Sequence, residues 1–327
     1  MRKTVGFMAL VVAGVVGLGT APGGRLAAQA AAAPPAWAYP INTPGIEAPP
    51  DDGQPKRVPG SDVALTLAQI RDAFSPPDWH PADHPPPPES VAKGRKPDLV
   101  ACGYCHYPNG QGRPENAAVA GLPAAYIIQQ TREFASGARK SAEPAMGPPK
   151  AMIRVAKAVT DAELEAAAAY FSALPFKEWL RVVETATVPQ TIVAGGVHVA
   201  APGGGTEPIG SRIIEMPEDP ARAAVRDAAS GFVAYVPEGS IARGRALVTT
   251  GGGRTVACGT CHGSDLKGLG PVPPIAGRSP SYLVRQLFDL KTGARDGAWS
   301  DLMDAAVRDL SIDDMIAIAA YSASLQP

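Results

Sequence analysis

Cys102-Gly103-Tyr104-Cys105-His106 and Cys258-Gly259-Thr260-Cys261-His262 contain every cysteine of this 327-residue chain. Two thiols three positions apart, followed directly by an imidazole, make a narrow chemical specification. On one tight turn the two sulfurs reach neighbouring points on one edge of a flat ligand, and the histidine projects beneath its plane. Thioether attachment to the two vinyl groups of a porphyrin, with the adjacent imidazole on its iron, meets that specification. Other uses of four cysteines fit less well. Disulfide stapling leaves the histidine after each pair unexplained. A four-thiolate zinc site would join pairs 156 residues apart and ignore both histidines. A thioredoxin-like redox pair needs a βαβ setting that the surrounding sequence lacks. The motifs predict two covalently bound haem c groups, one on Cys102 and Cys105 and one on Cys258 and Cys261, with His106 and His262 as iron ligands.

The second half of the chain restates the first. The offset of 156 residues holds from Val100 and Val256 through Tyr126 and Tyr282, Gln130 and Gln286, to Gly137-Ala138-Arg139 and Gly293-Ala294-Arg295. Beyond that the offset falls to 151, pairing Met152 with Met303 and Tyr170 with Tyr321. Duplication of one haem module accounts for the whole pattern. Each copy reads as helical. Pro123 and Gly137 frame one helix, and Ser279-Pro280 and Gly293 frame its counterpart. Thr160 with Glu163, and Ser311 with Asp314, are capping pairs that open the last helix of each copy. A short helix before each motif carries Gly94 or Gly244, where close helix crossing under Tyr170 or Tyr321 is expected.

Residues 1–30 read as an export signal: Arg2 and Lys3, an uncharged apolar run from Val5 to Leu18, and a small-residue cleavage site at Ala28-Gln29-Ala30. The run is short for a membrane span, although a retained anchor is the competing reading. The segment holds three basic residues and no acidic one, so its removal takes the net charge from −1 to −4. An acidic surface argues against nucleic acid and favours partners with basic docking faces. A 45% hydrophobic content with only 6% aromatic residues suits Ala-rich helices, while 35 Gly and 35 Pro require long irregular connections. The expected organisation is a signal peptide (1–30), a Pro-rich arm wrapping the first module (31–88), a first haem domain (89–175), an inter-domain segment (176–236) and a second haem domain (237–327). Within the inter-domain segment, Leu180 to Val193 reads as one or two strands and Ala200 to Glu207 as a Gly-rich loop. The fold class is mainly α: two helical haem domains joined by an irregular, partly β linker.

Haem c iron takes a second axial ligand, and methionine is the one that raises its potential. Met303 lies 41 residues after His262, and Met152 lies 46 after His106; each precedes its last helix, in a stretch read as a loop. Met146 competes with Met152, because the alignment carried forward from the cysteines ends beside it. Met315 falls within the helical pattern and reads as core. His80 and His84 in the arm are weaker alternatives for the first iron, and His198 carries no assigned role. Arg139 and Arg295 read equally as helix-end caps or as partners of haem propionates.

These parts resemble the class I cytochromes c, specifically the two-domain, two-haem c-four type, over residues 89–174 and 237–326. The matching segments are Cys-x-x-Cys-His, the Ala-Gly then Tyr-x-x-x-Gln helix, the Gly-x-Arg turn, the Met loop and the Ala-Ala-Tyr helix. The resemblance implies two facing helical domains with His/Met iron that pass electrons between membrane complexes and oxidases. It also implies that a proline carbonyl orients each haem histidine. Pro273 fits that role, whereas Ala117 stands in its place in the first copy and puts the bond there in doubt. The functional expectation is an exported, periplasmic electron carrier, soluble or membrane-associated. It would serve as the cytochrome subunit of a dehydrogenase or exchange electrons with a quinol-oxidising complex or terminal oxidase. A dihaem enzyme, peroxidase-like or thiosulfate-oxidising, is the rival reading and would need an open iron.

Overall fold

A computed structural model describes residue 1 and residues 33–327, so the export segment, Met1 aside, lies outside the described residues. The first haem module is built from α2 (Glu89–Ala92), α3 (Cys102–His106), α4 (Ala124–Ser136), α5 (Gly147–Ala158) and α6 (Asp161–Ala173), following a one-turn helix α1 (Leu67–Ile70) in the arm. Thr160 and Glu163 form the expected capping box at the start of α6. Gly137 ends α4 in the left-handed region (φ 82°), where a residue without a Cβ avoids a steric penalty. Val91, Val119, Leu122, Ala167 and Phe171 make this module's core.

The second module repeats the plan with α8 (Ser240–Thr250), α9 (Gly259–His262), α10 (Pro280–Lys291), α11 (Asp301–Val307) and α12 (Ile312–Ala323). Ser279 caps α10 and Ser311 forms a capping box with Asp314. Helices α8 and α12 cross closely at Gly244, where an added Cβ would collide with the Ala317 carbonyl and press on Tyr321. Gly94 does not play the same part. Helix α2 stops at Ala92, and Gly94 lies in extended chain against Leu99, Phe74 and Ala101 rather than under Tyr170. Pro97 explains the difference: it has no N–H to donate and steers Lys96 away from helical backbone, whereas no proline follows Gly244 before the second motif.

The connecting segment holds more β structure than its sequence pattern announces. Its strands are β1 (Leu180–Glu184), β2 (Thr187–Pro189), β3 (Thr191–Ala194), β4 (Val197–Ala200), β5 (Thr206–Pro208), β6 (Ile214–Pro217) and β7 (Phe232–Val236), with helix α7 (Pro220–Ala224) before the last. They form a three-stranded sheet in the order β1-β7-β6 and two small pairs, β2-β5 and β3-β4. The Gly-rich loop is shorter than expected, because Thr206 and Glu207 pair with Pro189 and Val188.

The arm reaches further than the first module. Ala38 and Tyr39 are buried in the second module's core with Phe288 and Met315, and the Tyr39 hydroxyl donates to Asp289 at 2.7 Å. Thr43 pairs with Val193 at the β3-β4 hairpin. The later stretch lies against the first module, with Ala73 and Phe74 packed on Leu99, Val100 and Val155. Residues 34–327 form one compact unit. Among the described residues no helix is long and apolar enough to cross a membrane.

Candidate haem sites

Each motif forms one short helix, which brings both thiols and the imidazole to one side of a turn. All four cysteines are free of disulfides. Burial pushes the Cys102 thiol up to about 12 and the Cys258 thiol up to about 11. Among the described residues no group of three or more His, Cys, Asp or Glu side chains is placed to hold a metal ion by itself.

Both histidines are held through one nitrogen. His106 Nδ1 lies 2.7 Å from the Ala117 carbonyl, and His262 Nδ1 lies 2.8 Å from the Pro273 carbonyl. The two contacts are eleven residues downstream of their histidines in both copies, so the doubt over Ala117 is resolved: the group that accepts is a backbone oxygen, which alanine supplies as well as proline. An Nδ1–H donated to a carbonyl leaves Nε2 with its lone pair. Burial holds both imidazoles below the ordinary histidine range, in the neutral form that binds metal.

His106, Cys102 and Cys105 open into a cavity walled largely by apolar side chains, among them Val119, Leu122, Phe134 and Phe171. Met146 and Met152 both line it. Met146 is buried at the N-cap of α5; Met152 sits in that helix. The stretches read as loops are helical at both methionines, since Met303 lies within α11. Pro148 and Pro149 fall in the first turn of α5, where their missing N–H groups cost nothing. Met315 is core, as expected. His80, His84 and His198 are engaged elsewhere. His80 meets Asp227 at 2.9 Å, His84 meets Tyr170 at 3.0 Å, and His198 meets Trp37 at 3.1 Å.

The repeated Tyr-x-x-x-Gln and Gly-Ala-Arg segments, quoted above without an assigned role for Tyr or Gln, meet across the two modules. Arg139 donates to the Tyr282 hydroxyl (3.0 Å) and Gln286 (2.8 Å); Arg295 donates to the Tyr126 hydroxyl (2.9 Å) and Gln130 (2.8 Å). The backbone repeats the exchange, Lys140 N to Ala294 O and Asp296 N to Ala138 O, each at 2.7 Å. Residue i of one copy contacts residue j of the other, and j contacts i, as at a two-fold interface. The signal for this was in the sequence, since Tyr, Gln and Arg recur at a fixed offset in both copies.

This junction tests the fit of haem. Arg139 is a buried guanidinium that donates to Gln130, Tyr282 and Gln286, and it lies on the cavity wall with Tyr282, Gln286 and the Asp289 carboxylate, which supports its charge. A buried cation is stable when an anion is near. Paired thiols, a neutral imidazole aimed from the same turn, an apolar wall and a cationic far end match the vinyl edge, iron, ring faces and propionates of haem. The residues fit the group.

Two arginines of the second module brace the first module's haem loop. Arg278 stacks 4.0 Å from the Phe176 ring and donates to the Ala118 and Ala120 carbonyls at 2.7 and 2.9 Å. Arg285 donates to the Ala38 carbonyl at 2.7 Å and the Pro114 carbonyl at 2.5 Å. Burial lowers both guanidinium pKa values, that of Arg278 to about 10.

No protein-family model matches the chain. Among curated proteins it is similar to the thiosulfate dehydrogenase electron acceptor of Stutzerimonas stutzeri, at 29% identity over 235 residues, covering 71% of this chain and 82% of that protein. It is 38% identical over 68 residues to cytochrome c-554(548) of Halomonas halodenitrificans, covering 20% of this chain and 82% of that cytochrome. It is 33% identical over 84 residues to cytochrome c4 of Azotobacter vinelandii, covering 24% of this chain and 40% of that one.

Proposed function

We propose, for a chain that belongs to the dihaem, c4-like c-type cytochromes, that it accepts electrons from a thiosulfate dehydrogenase and hands them on in the periplasm. It is an electron-transfer protein that carries two covalently bound haem c groups. The observation that carries the choice of donor is the match along 71% of this chain and 82% of the S. stutzeri electron acceptor. The export signal read at residues 1–30 supports the periplasmic setting.

When bound, each haem supplies a one-electron ferric/ferrous couple. The protein's part is to hold it, dry it and set its potential. Cys102 with Cys105, and Cys258 with Cys261, are the tethers. His106 and His262, each fixed through Nδ1 by its carbonyl, would present Nε2 to the irons. Met152 and Met303 would supply the second ligands, because they hold equivalent places in the repeat; Met146 lines the same cavity as Met152. Apolar side chains around the first cavity exclude water, and the Arg139–Arg295 junction holds the two modules, residues 89–175 and 237–327, in register. With histidine and methionine on both irons no position is left for a substrate, which is the reason for an acceptor rather than an enzyme.

Stopped-flow mixing of the oxidised protein with purified thiosulfate dehydrogenase and thiosulfate tests this. Reduction of both haems is expected, with no reduction by thiosulfate alone. A protein left oxidised in the complete mixture would refute the assignment of donor.

A further inference from the structure

The two copies of the haem module differ most on one face, the outer side of the Cys-x-x-Cys turn. In the first copy that face is closed by the chain itself. A Cβ on Gly103 would meet the Val91 carbonyl at 2.7 Å and Pro76 at 3.5 Å. Ala101 N donates to the Ala73 carbonyl, and Phe74 packs on Leu99 and Val100. From the connecting segment, Arg226 lays its guanidinium 4.2 Å from the Tyr104 ring and donates to the Tyr104 carbonyl. Arg226 does so from a left-handed backbone (φ 61°), a conformation that few residues other than glycine adopt without a compensating contact. The arm and this turn are stitched together, Trp79 donating to the Val225 carbonyl at 2.8 Å and His80 meeting Asp227 at 2.9 Å.

In the second copy the same positions are open. A Cβ on Gly259 would meet only Ser264 of its own loop, at 3.5 Å. Val256 is 44% exposed where its counterpart Val100 is 8% exposed, and Leu269 is 61% exposed where its counterpart Arg113 is 5% exposed. Both copies are compared in the same state, so the contrast belongs to the arm and the connecting segment. Leu269 sits on the turn whose Gly268 N donates to the His262 carbonyl at 2.8 Å, beside the motif. Exposed Asp265 and Lys267 flank it with opposite signs.

We infer that the second haem is the port of this molecule. The outer face of its Cys-x-x-Cys turn, where Val256, Thr260 and Leu269 are exposed, is the surface on which an electron-donating haem protein docks, and the first haem exchanges electrons through the second. An electron carrier needs at least one haem edge within tunnelling reach of a partner. The chain closes one edge with two of its own segments and leaves the equivalent edge apolar and bare. An apolar centre between charges of both signs fits a partner whose own haem edge is set in an apolar ring, and it gives contact-driven rather than charge-steered docking. This assigns work to the arm and the connecting segment, the two parts that exceed the repeat. It rests on the electron-acceptor reading above only for the identity of the donor.

The test uses full-length dihaem protein with two haem donors, a reduced monohaem c-type cytochrome and thiosulfate dehydrogenase supplied with thiosulfate. Leu269→Glu is expected to slow reduction by the monohaem cytochrome at least tenfold while leaving the absorption spectrum and reduction by a small ruthenium ammine unchanged. Ile41→Glu, at an exposed apolar position on the arm, and Arg226→Gly, which uncovers the first turn without backbone strain, are expected to leave the protein-to-protein rate within threefold. A Leu269→Glu protein that exchanges at the wild-type rate, or an Ile41→Glu protein slowed as much, overturns the port. If the wild-type protein takes electrons from the monohaem cytochrome but not from the dehydrogenase, the donor assignment falls and the Leu269 comparison still decides the port.

Discussion

At Ala117 the chain departs from its own repeat, and the departure shows how a residue-level role is filled by other means. The second copy orients His262 with the carbonyl of Pro273, followed by Pro274, a stiff pair. The first copy has Ala117 and Ala118, and there Arg278 and Arg285 grip the carbonyls of Pro114, Ala118 and Ala120 on either side. Arg278→Ala is expected to loosen the Ala117 carbonyl, weaken electron donation by His106 and raise the midpoint potential of one haem only. Ala117→Pro in that background is expected to return the potential toward its starting value. Potentiometry in which both haems move equally, or neither moves, would contradict this. The sixth ligands are tested in the same experiment. Met303→His is expected to lower one potential and Met152→His the other, since imidazole stabilises ferric iron, whereas Met146→Leu changes neither. The cysteines and histidines were legible in the sequence because their spacing is the chemistry. The arginine grip was not, because it joins positions some 160 residues apart.

Among the elements, those defined by local rules were the legible ones. Both capping boxes, at Thr160 and Ser311, stand where the sequence places them, because a cap is chemistry within four residues. Thr160→Ala and Ser311→Ala are each expected to cost about 1 kcal/mol in denaturant unfolding. Glu163 adds a pH signature. The Arg95 guanidinium and the Thr160 N–H and hydroxyl hold its carboxyl at about 2. A depressed folded-state value means that its contribution is complete above the ordinary glutamate range and is lost as pH falls from there toward 2. Glu163→Gln should lower stability at neutral pH and flatten that part of the curve, the two proteins converging as pH falls toward 2. The β segment was read poorly for the opposite reason. Strand β1 pairs in parallel with β7, some fifty residues on, and β6 completes the sheet, so no short window contains the pairing. The two glycines before the motifs looked equivalent, yet Pro97 made one a helix crossing and the other a bend in extended chain.

At the scale of the whole molecule, duplication explains the architecture and the non-duplicated parts explain its asymmetry. The repeated Tyr, Gln and Arg positions bind each other across the junction, so the repeat encodes the way the modules meet as well as each module. The arm, read as a wrap for the first module, also plugs the second module's core with Tyr39 and closes the first motif's outer face. We propose that both irons are closed by histidine and methionine, so that the protein transfers electrons and transforms nothing. Electron paramagnetic resonance of the fully oxidised protein, read together with its near-infrared spectrum, tests that most directly. Two low-spin ferric signals, no high-spin signal and a sulfur-to-iron band of two-haem intensity are expected. A five-coordinate high-spin signal from either haem in the resting protein, or a band of one-haem intensity, would contradict it.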